Sequence, residues 1–162
     1  LSVGSNVGER EAAVLGVPRR LEECGAGRSV RVSSLYETVP IECPPMGRFI
    51  NAVLEFEPLL PPLDLLERLK LIEKTMGRTG GRDEPRELDI DIVTYGESII
   101  RDERLTVPHP RFRGRAFVLI PLREICPCFV CPETGRSVDD LICSLAEGQY
   151  VCRVSRRKAV LD

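Results

Sequence analysis

Apolar residues recur along the chain with a period of two in some stretches and about 3.6 in others, and the switches divide the sequence into elements. The opening "LSVG" is short and apolar and stops at a glycine, as the end of a first strand would. Asn6, followed three residues later by Glu9, resembles a capping box and places a helix start just after the turn. "REAAVLGVPRRLEEC" has helical composition, yet Gly16 and Pro18 sit in its middle, where proline removes a backbone hydrogen bond; a kinked or delayed helix ending at "GAG" is expected. "SVRVSSLYETVP" sets Val30, Val32, Ser34 and Tyr36 against Arg31, Ser33 and Leu35, which predicts one strand stopping at Pro40. "RFINAVLEFEP" alternates again, with Ile50, Ala52, Leu54 and Phe56 on one face and Phe49, Asn51, Val53 and Glu55 on the other.

"PPLDLLERLKLIEKTMG" has proline at its entrance, Leu65, Leu66, Leu69, Ile72 and Met76 at helical spacing, and Gly77 at its exit. After the glycine-rich loop "RTGGRDEP", the stretch "RELDIDIVTYG" puts Leu88, Ile90 and Ile92 on one face of a strand. The order is β-α-β-β-α-β, which predicts a ferredoxin-like α/β (α+β) core with an antiparallel sheet. A C-terminal extension follows: a hairpin-like "ESIIRDERLTVP", then helices over "GRAFVLIPLREI" and "VDDLICSLAEG". There are no internal repeats or low-complexity linkers.

With 162 residues and 43% hydrophobic content, one domain spanning residues 1–162 is expected. No stretch approaches a membrane span and the N-terminus lacks a signal-peptide pattern, so a soluble, cytoplasmic protein is expected; a start at Leu1 suggests that the true N-terminus lies upstream. A formal net charge of −2 argues against a general nucleic-acid binder. Eight arginines nevertheless fall between Arg78 and Arg115, which permits a local anion site on an acidic protein or, equally, a solvated face of ion pairs. Seven cysteines read as reduced thiols. Cys126, Cys128 and Cys131 would need a distant Cys143 or Cys152 to complete a zinc site, and small buried apolar side chains are the preferred reading.

Asp89 and Asp91, at i and i+2 of a strand, project from the same face with Cα atoms about 6.5 to 7 Å apart. Two like charges this close repel, and strands disfavour aspartate, so the pair is either solvated charge or a cation site. Hard oxygen ligands favour magnesium, which with few carboxylates draws its remaining ligands from phosphate. Arg78, Arg82 and Arg86, around the preceding loop, then become phosphate donors; no GxxxxGK[ST] loop is present. His109, the only histidine, lies between two prolines and ahead of Arg111, Arg113 and Arg115. Phe49, Phe117, Tyr36 and Asn51 could form a pocket for a flat heterocycle, with core packing as the default for each aromatic.

Taken in order, "VGSNVGER", "VSSLYETVP", "FINAVLEFE", "LLERLKLIEKTMGR", "PRELDIDIVTYG" and "LTVPHPRFRGRAFVLIPL" resemble the 6-hydroxymethyl-7,8-dihydropterin pyrophosphokinase family of folate biosynthesis over roughly residues 1 to 135. The resemblance implies transfer of diphosphate from ATP to the pterin hydroxymethyl group, with AMP released and two magnesium ions held by Asp89 and Asp91. It implies ATP contacts at Glu73, Arg78, Arg86, Ile92, Thr106, His109 and Arg115, with Arg78 and Arg86 catalytic beside the aspartates. Asn51 would read the pterin edge between Phe49 and Phe117, and Thr38, Val39, Pro40 and Ile41 would line the pocket. The partners implied are these two small molecules, with no nucleic acid or membrane, and a monomer is expected. The chain departs from the family pattern in its shorter "RTGGRDEP" loop, which leaves the role of Arg82 open, and in Gly16 and Pro18. A ferredoxin-like ligand-sensing module is the alternative; an RNA-recognition module would want exposed aromatics and a basic surface.

Overall fold

The computed structural model describes residues 1–39, 47–76 and 86–154. The elements in chain order are β1 (Ser2–Ser5), α1 (Arg10–Leu15), α2 (Val17–Glu23), β2 (Gly27–Val32), β3 (Tyr36–Thr38), β4 (Phe49–Pro58), α3 (Pro62–Thr75) and β5 (Asp89–Asp91). They continue with β6 (Ile100–Arg101), β7 (Thr106–Val107), a single 3-10 turn (Phe112–Gly114), α4 (Ala116–Ile125), α5 (Val138–Cys143) and β8 (Val151–Arg153).

The main sheet runs β5-β1-β4-β3-β8, with β2 also on β4, and all of its pairs are antiparallel. Strand periodicity decides which residues meet which helices. Val3, Ile50, Ala52, Leu54 and Ile90 turn to one face and pack with Val14, Val17, Leu21, Leu65, Leu69 and Ile72 of α1 to α3. This is the ferredoxin-like core read from the sequence. Leu69 is fully buried in it, and its truncation to alanine would cost about 2–5 kcal/mol. Val53, on the opposite face, joins Val118, Leu119, Leu122 and Leu141 of the extension in a second cluster. The extension therefore covers one end of the second face. The other end carries the candidate site.

Three local expectations are corrected. Asn6 and Glu9 form no capping box: Glu9 occupies the N-cap without a side-chain hydrogen bond. Asn6 instead accepts the Arg86 amide through Oδ1 at 2.7 Å and donates its own amide to the Arg86 carbonyl at 3.1 Å. That two-point link ties the end of β1 to the entrance of β5, a tertiary use that outcompetes the local one. The reciprocal cap occurs at α5, where the Ser137 hydroxyl accepts the Asp140 amide and the Asp140 carboxylate accepts the Ser137 amide.

The single strand expected over "SVRVSSLYETVP" is two strands interrupted at residues 33–35. Serine side chains cause the break by competing with the ladder. The Ser33 hydroxyl accepts the Val53 amide at 3.0 Å, while the Ser34 amide and hydroxyl both donate to the Glu124 carboxylate of α4. Within β2, Ser29 adopts φ +56 and the register shifts between Arg28 and Arg31, a bulge. Finally, β8 has no counterpart among the expected elements, because its alternation is too short to stand out.

The helix break does fall where Gly16 and Pro18 put it: α1 ends at Leu15, and α2 restarts with the proline in its first turn, where a missing amide hydrogen is harmless. Helix α3 and the β6–β7 hairpin also form as expected.

Candidate active site

Strand register assembles the site. Gly4 of β1 is paired with Asn51 of β4 on one side and Asp89 of β5 on the other, and Asn51 is paired in turn with Tyr36 of β3. One step along, Ser2 is paired with Val53 and Asp91. Tyr36, Asn51, Gly4 and Asp89 thus form a row across the sheet, on the face opposite Val3 and Ile90. Gly4 leaves the floor of that row bare. A Cβ there would lie 2.7 Å from Asn51 Oδ1 and 3.6 Å from Phe49 Cδ1, so only glycine allows the Asn51 amide to lie over β1.

Asn51 is buried, and its Nδ2 donates to the Thr38 hydroxyl at 2.7 Å, which turns Oδ1 toward the space above Gly4. Phe49 and Phe117 are half-buried at this end of the sheet and at the start of α4. The Arg115 guanidinium lies 5.4 Å from the Phe117 ring centroid, a cation–π distance. Its Nη1 stands 3.9 Å from Asp91 Oδ2. A single arginine therefore touches both the aromatic and the acidic halves of the site.

The acidic half is partly desolvated. Asp89 accepts a hydrogen bond from Arg86 at 2.6 Å, with both side chains largely buried. His109 Nε2 lies 3.9 Å from Asp91 Oδ2. His109 Nδ1 accepts the Arg111 amide at 3.2 Å, so in the neutral ring the proton sits on Nε2, facing the aspartate. Burial pushes the His109 pKa down; Asp91 opposes this, and Arg115 and Arg111 add to it, leaving it below the ordinary value. Nε2, which carries the proton of the neutral ring, is therefore the donor that faces Asp91.

Glu73 is buried under the strand. Its Oε1 accepts the Ile90 amide at 2.7 Å, and Lys70 Nζ approaches its carboxylate at 2.9 Å. It fixes the backbone between the two aspartates from behind. Ile92 is buried in the main core with Ile90, and Thr106 is half-buried in β7, paired with Arg101. Glu73 and Ile92 are thus buried in or behind the scaffold, whereas Thr106, Arg86, His109 and Arg115 are each partly exposed. Thr38 and Val39 are described, whereas Pro40, Ile41, Arg78 and Arg82 lie outside the described residues.

The donor set fits magnesium. Two aspartates on one strand face supply hard oxygens, and among the described residues no three His, Cys, Asp or Glu side chains gather as a ligand group. A cation held by the pair would complete its shell from water or phosphate, as magnesium does. Cys126, Cys128 and Cys131 likewise form no such group: Cys131 is buried in the second core, Cys128 is exposed, and Cys126 is half-buried.

Sequence reasoning missed Gly4 and Asn6, although "VGSN" carried a signal, a glycine within a strand beside a polar residue. It also missed Ser34 and Glu124, whose contact depends on where α4 docks.

Comparison with known proteins gives a consistent answer. The model of the 7,8-dihydro-6-hydroxymethylpterin-pyrophosphokinase family matches residues 1–127. The chain is 40% identical over 127 residues to the 2-amino-4-hydroxy-6-hydroxymethyldihydropteridine pyrophosphokinase of Bacillus subtilis, covering 78% of this chain and 76% of that one. It is 37% identical over 143 residues to the protein of the same name from Pseudomonas aeruginosa, covering 88% of each. A "folate synthesis bifunctional protein, mitochondrial" of Pisum sativum is 40% identical over 126 residues, which are 77% of this chain and 24% of that protein.

Proposed function

We propose that this chain, which belongs to the 7,8-dihydro-6-hydroxymethylpterin-pyrophosphokinase family, holds its two substrates across the row Asn51, Gly4 and Asp89. The family activity is pyrophosphoryl transfer from ATP to 6-hydroxymethyl-7,8-dihydropterin, a step of folate synthesis. A binding module without catalysis is not favoured by this membership. The observation that supports the site assignment is the register of Gly4, which sets the Asn51 amide and the Asp89 carboxylate on either side of one position without a side chain.

In this reading the pterin lies over Gly4. Asn51, oriented by Thr38, offers Oδ1 to a ring N–H, and Phe49 and Phe117 hold the ring faces. Thr38 and Val39, with Pro40 and Ile41, line the pocket. On the other side Arg86, Arg115 and the Nε2–H of His109 meet phosphate oxygens, with Arg78 as a further donor. Asp89 and Asp91 would hold magnesium, two ions in the full reading, which when bound neutralises charge on the triphosphate. Glu73 acts through the Ile90 amide on the placement of the two aspartates; Ile92 and Thr106 shape the nucleotide side from the scaffold.

Transfer needs alignment more than a strong base. The pterin hydroxyl oxygen forms a bond to the β-phosphorus as the bond between that phosphorus and the AMP oxygen breaks, and the hydroxyl proton is lost to water. The residues contribute by holding both partners in line and by spreading charge over the arginines and His109.

No helix among the described residues is long and apolar enough to cross a membrane. A single-domain monomer in the cytoplasm, acting on small molecules, completes the proposal. The test is AMP formation from ATP, measured with and without 6-hydroxymethyl-7,8-dihydropterin and with and without magnesium. Formation that depends on both is expected; AMP release indifferent to the pterin would overturn the assignment.

A further inference from the structure

Residues 149–153 lie beyond the span matched by the family model, and side-chain and backbone contacts of this segment fall on or next to the proposed pterin-holding residues. Gln149 makes two hydrogen bonds to one place. Its Oε1 accepts the Ala116 amide at 2.8 Å, and its Nε2 donates to the Gly114 carbonyl at 2.9 Å. Those two backbone groups bracket Arg115, whose extended φ −115, ψ 104 turns the chain from the 3-10 turn into α4. No N-cap side chain serves this helix start, so its first free amide is satisfied by Gln149 instead. Arg115 and Phe117 project from this junction.

The next residues grip the other wall. The Arg48 guanidinium lies 5.2 Å from the Tyr150 ring centroid, and Arg48 immediately precedes Phe49. Val151 is paired with Thr38, the residue that orients Asn51. Arg153 donates through Nε to the Ser34 hydroxyl at 2.8 Å. The segment therefore bridges the base of Phe117 to the bases of Phe49 and Thr38.

We propose that this C-terminal segment is a strap that sets the width of the pterin slot, with Gln149 as its positioning residue. The proposal rests on the reading of Phe49, Asn51 and Phe117 as the pterin-holding group. Its signature is an effect larger on the pterin than on the nucleotide, because the strap reaches both walls of the ring slot and reaches the phosphate side through the base of Arg115.

The test uses the full chain with magnesium and a non-hydrolysable ATP analogue, and reads 6-hydroxymethylpterin binding from the pterin's own fluorescence. Steady-state KM values for pterin and ATP and the melting temperature are measured in parallel. Gln149→Met removes both hydrogen bonds at similar volume, and about tenfold weaker pterin binding is expected, with a smaller rise, about threefold, in KM for ATP through Arg115. Gln149→Glu keeps an acceptor for the Ala116 amide, and an intermediate affinity is expected. Pterin affinity unchanged in Gln149→Met, or KM for both substrates rising by the same factor with a fall in melting temperature, would overturn the proposal. Asn51→Ala separates the two levels. If it leaves pterin binding intact, the underlying site reading fails and the strap with it; if it abolishes binding while Gln149→Met does not weaken it, the strap alone fails.

Discussion

Asn51 and Asp89 are cross-strand partners of the same residue, Gly4, and stand on either side of it. Two strand spacings, about 10 Å, separate their backbones, a span that accommodates a ring on one side and phosphates on the other. Gly4→Ala would put a Cβ 2.7 Å from Asn51 Oδ1 and force the amide off its Thr38 partner. Pterin affinity should fall about tenfold or more while ATP affinity stays within about twofold, as read by equilibrium binding of each. Equal loss for both ligands would mean that the row does not divide the site as argued.

Asp89 and Asp91 should differ in stability and agree in function. Either alanine variant should lower turnover at least about a hundredfold, because a carboxylate facing the proposed cation is removed. Asp89→Ala also strips the partner from Arg86, held at 2.6 Å in a largely buried pair, whereas Asp91 has its charged neighbours at 3.9 Å. A lower melting temperature is therefore expected for Asp89→Ala than for Asp91→Ala. Near-wild-type turnover in either variant would contradict the metal assignment.

Glu73→Ala should act first on the fold. It leaves the Ile90 amide without its acceptor and Lys70 without its carboxylate, a cost of about 2–4 kcal/mol. Urea denaturation measures it. A stability within about 0.5 kcal/mol of wild type would show that the buried carboxylate is not holding β5.

Glu124 supplies a pH dependence. Burial works to raise its pKa, but the hydroxyls of Ser34 and Tyr36, the Ser34 amide and Arg153 outweigh that and hold it below the ordinary 4.5. A group depressed on folding contributes stability above its unfolded pKa and loses it as pH falls through the folded one. Glu124→Gln should therefore be less stable than wild type at pH 7, with the gap closing below about pH 4. Denaturant midpoints across that range decide it, and a gap that persists at pH 3 would assign the effect to packing.

The core face was legible because its information is local. Val3, Ile50, Ala52, Leu54 and Ile90 declare their side by alternation, and Leu65, Leu69 and Ile72 by helical spacing. Asp89 and Asp91 were legible for the opposite reason, as charges that a strand would otherwise avoid. Gly4, Gln149 and Glu124 were not, because each acts on partners separated by tens of residues, and only register and docking bring them together. Asn6 misled for a related reason. Its side chain satisfies the local capping pattern on paper, yet it accepts the Arg86 amide instead, alongside the hydrogen bond from the Asn6 backbone amide to the Arg86 carbonyl.

The bulge in β2 has a further consequence for how copies of this chain meet in solution. Among the described residues β2 is paired only with β4, so its outer edge carries backbone groups that another chain could zip onto. Ser29, at φ +56, breaks the repeat of those groups, and Arg28 and Arg31, paired with Glu57 and Glu55, surround the break with charge. The edge thus offers no regular template for strand addition, and protection against aggregation is written into the same irregularity that bends the strand.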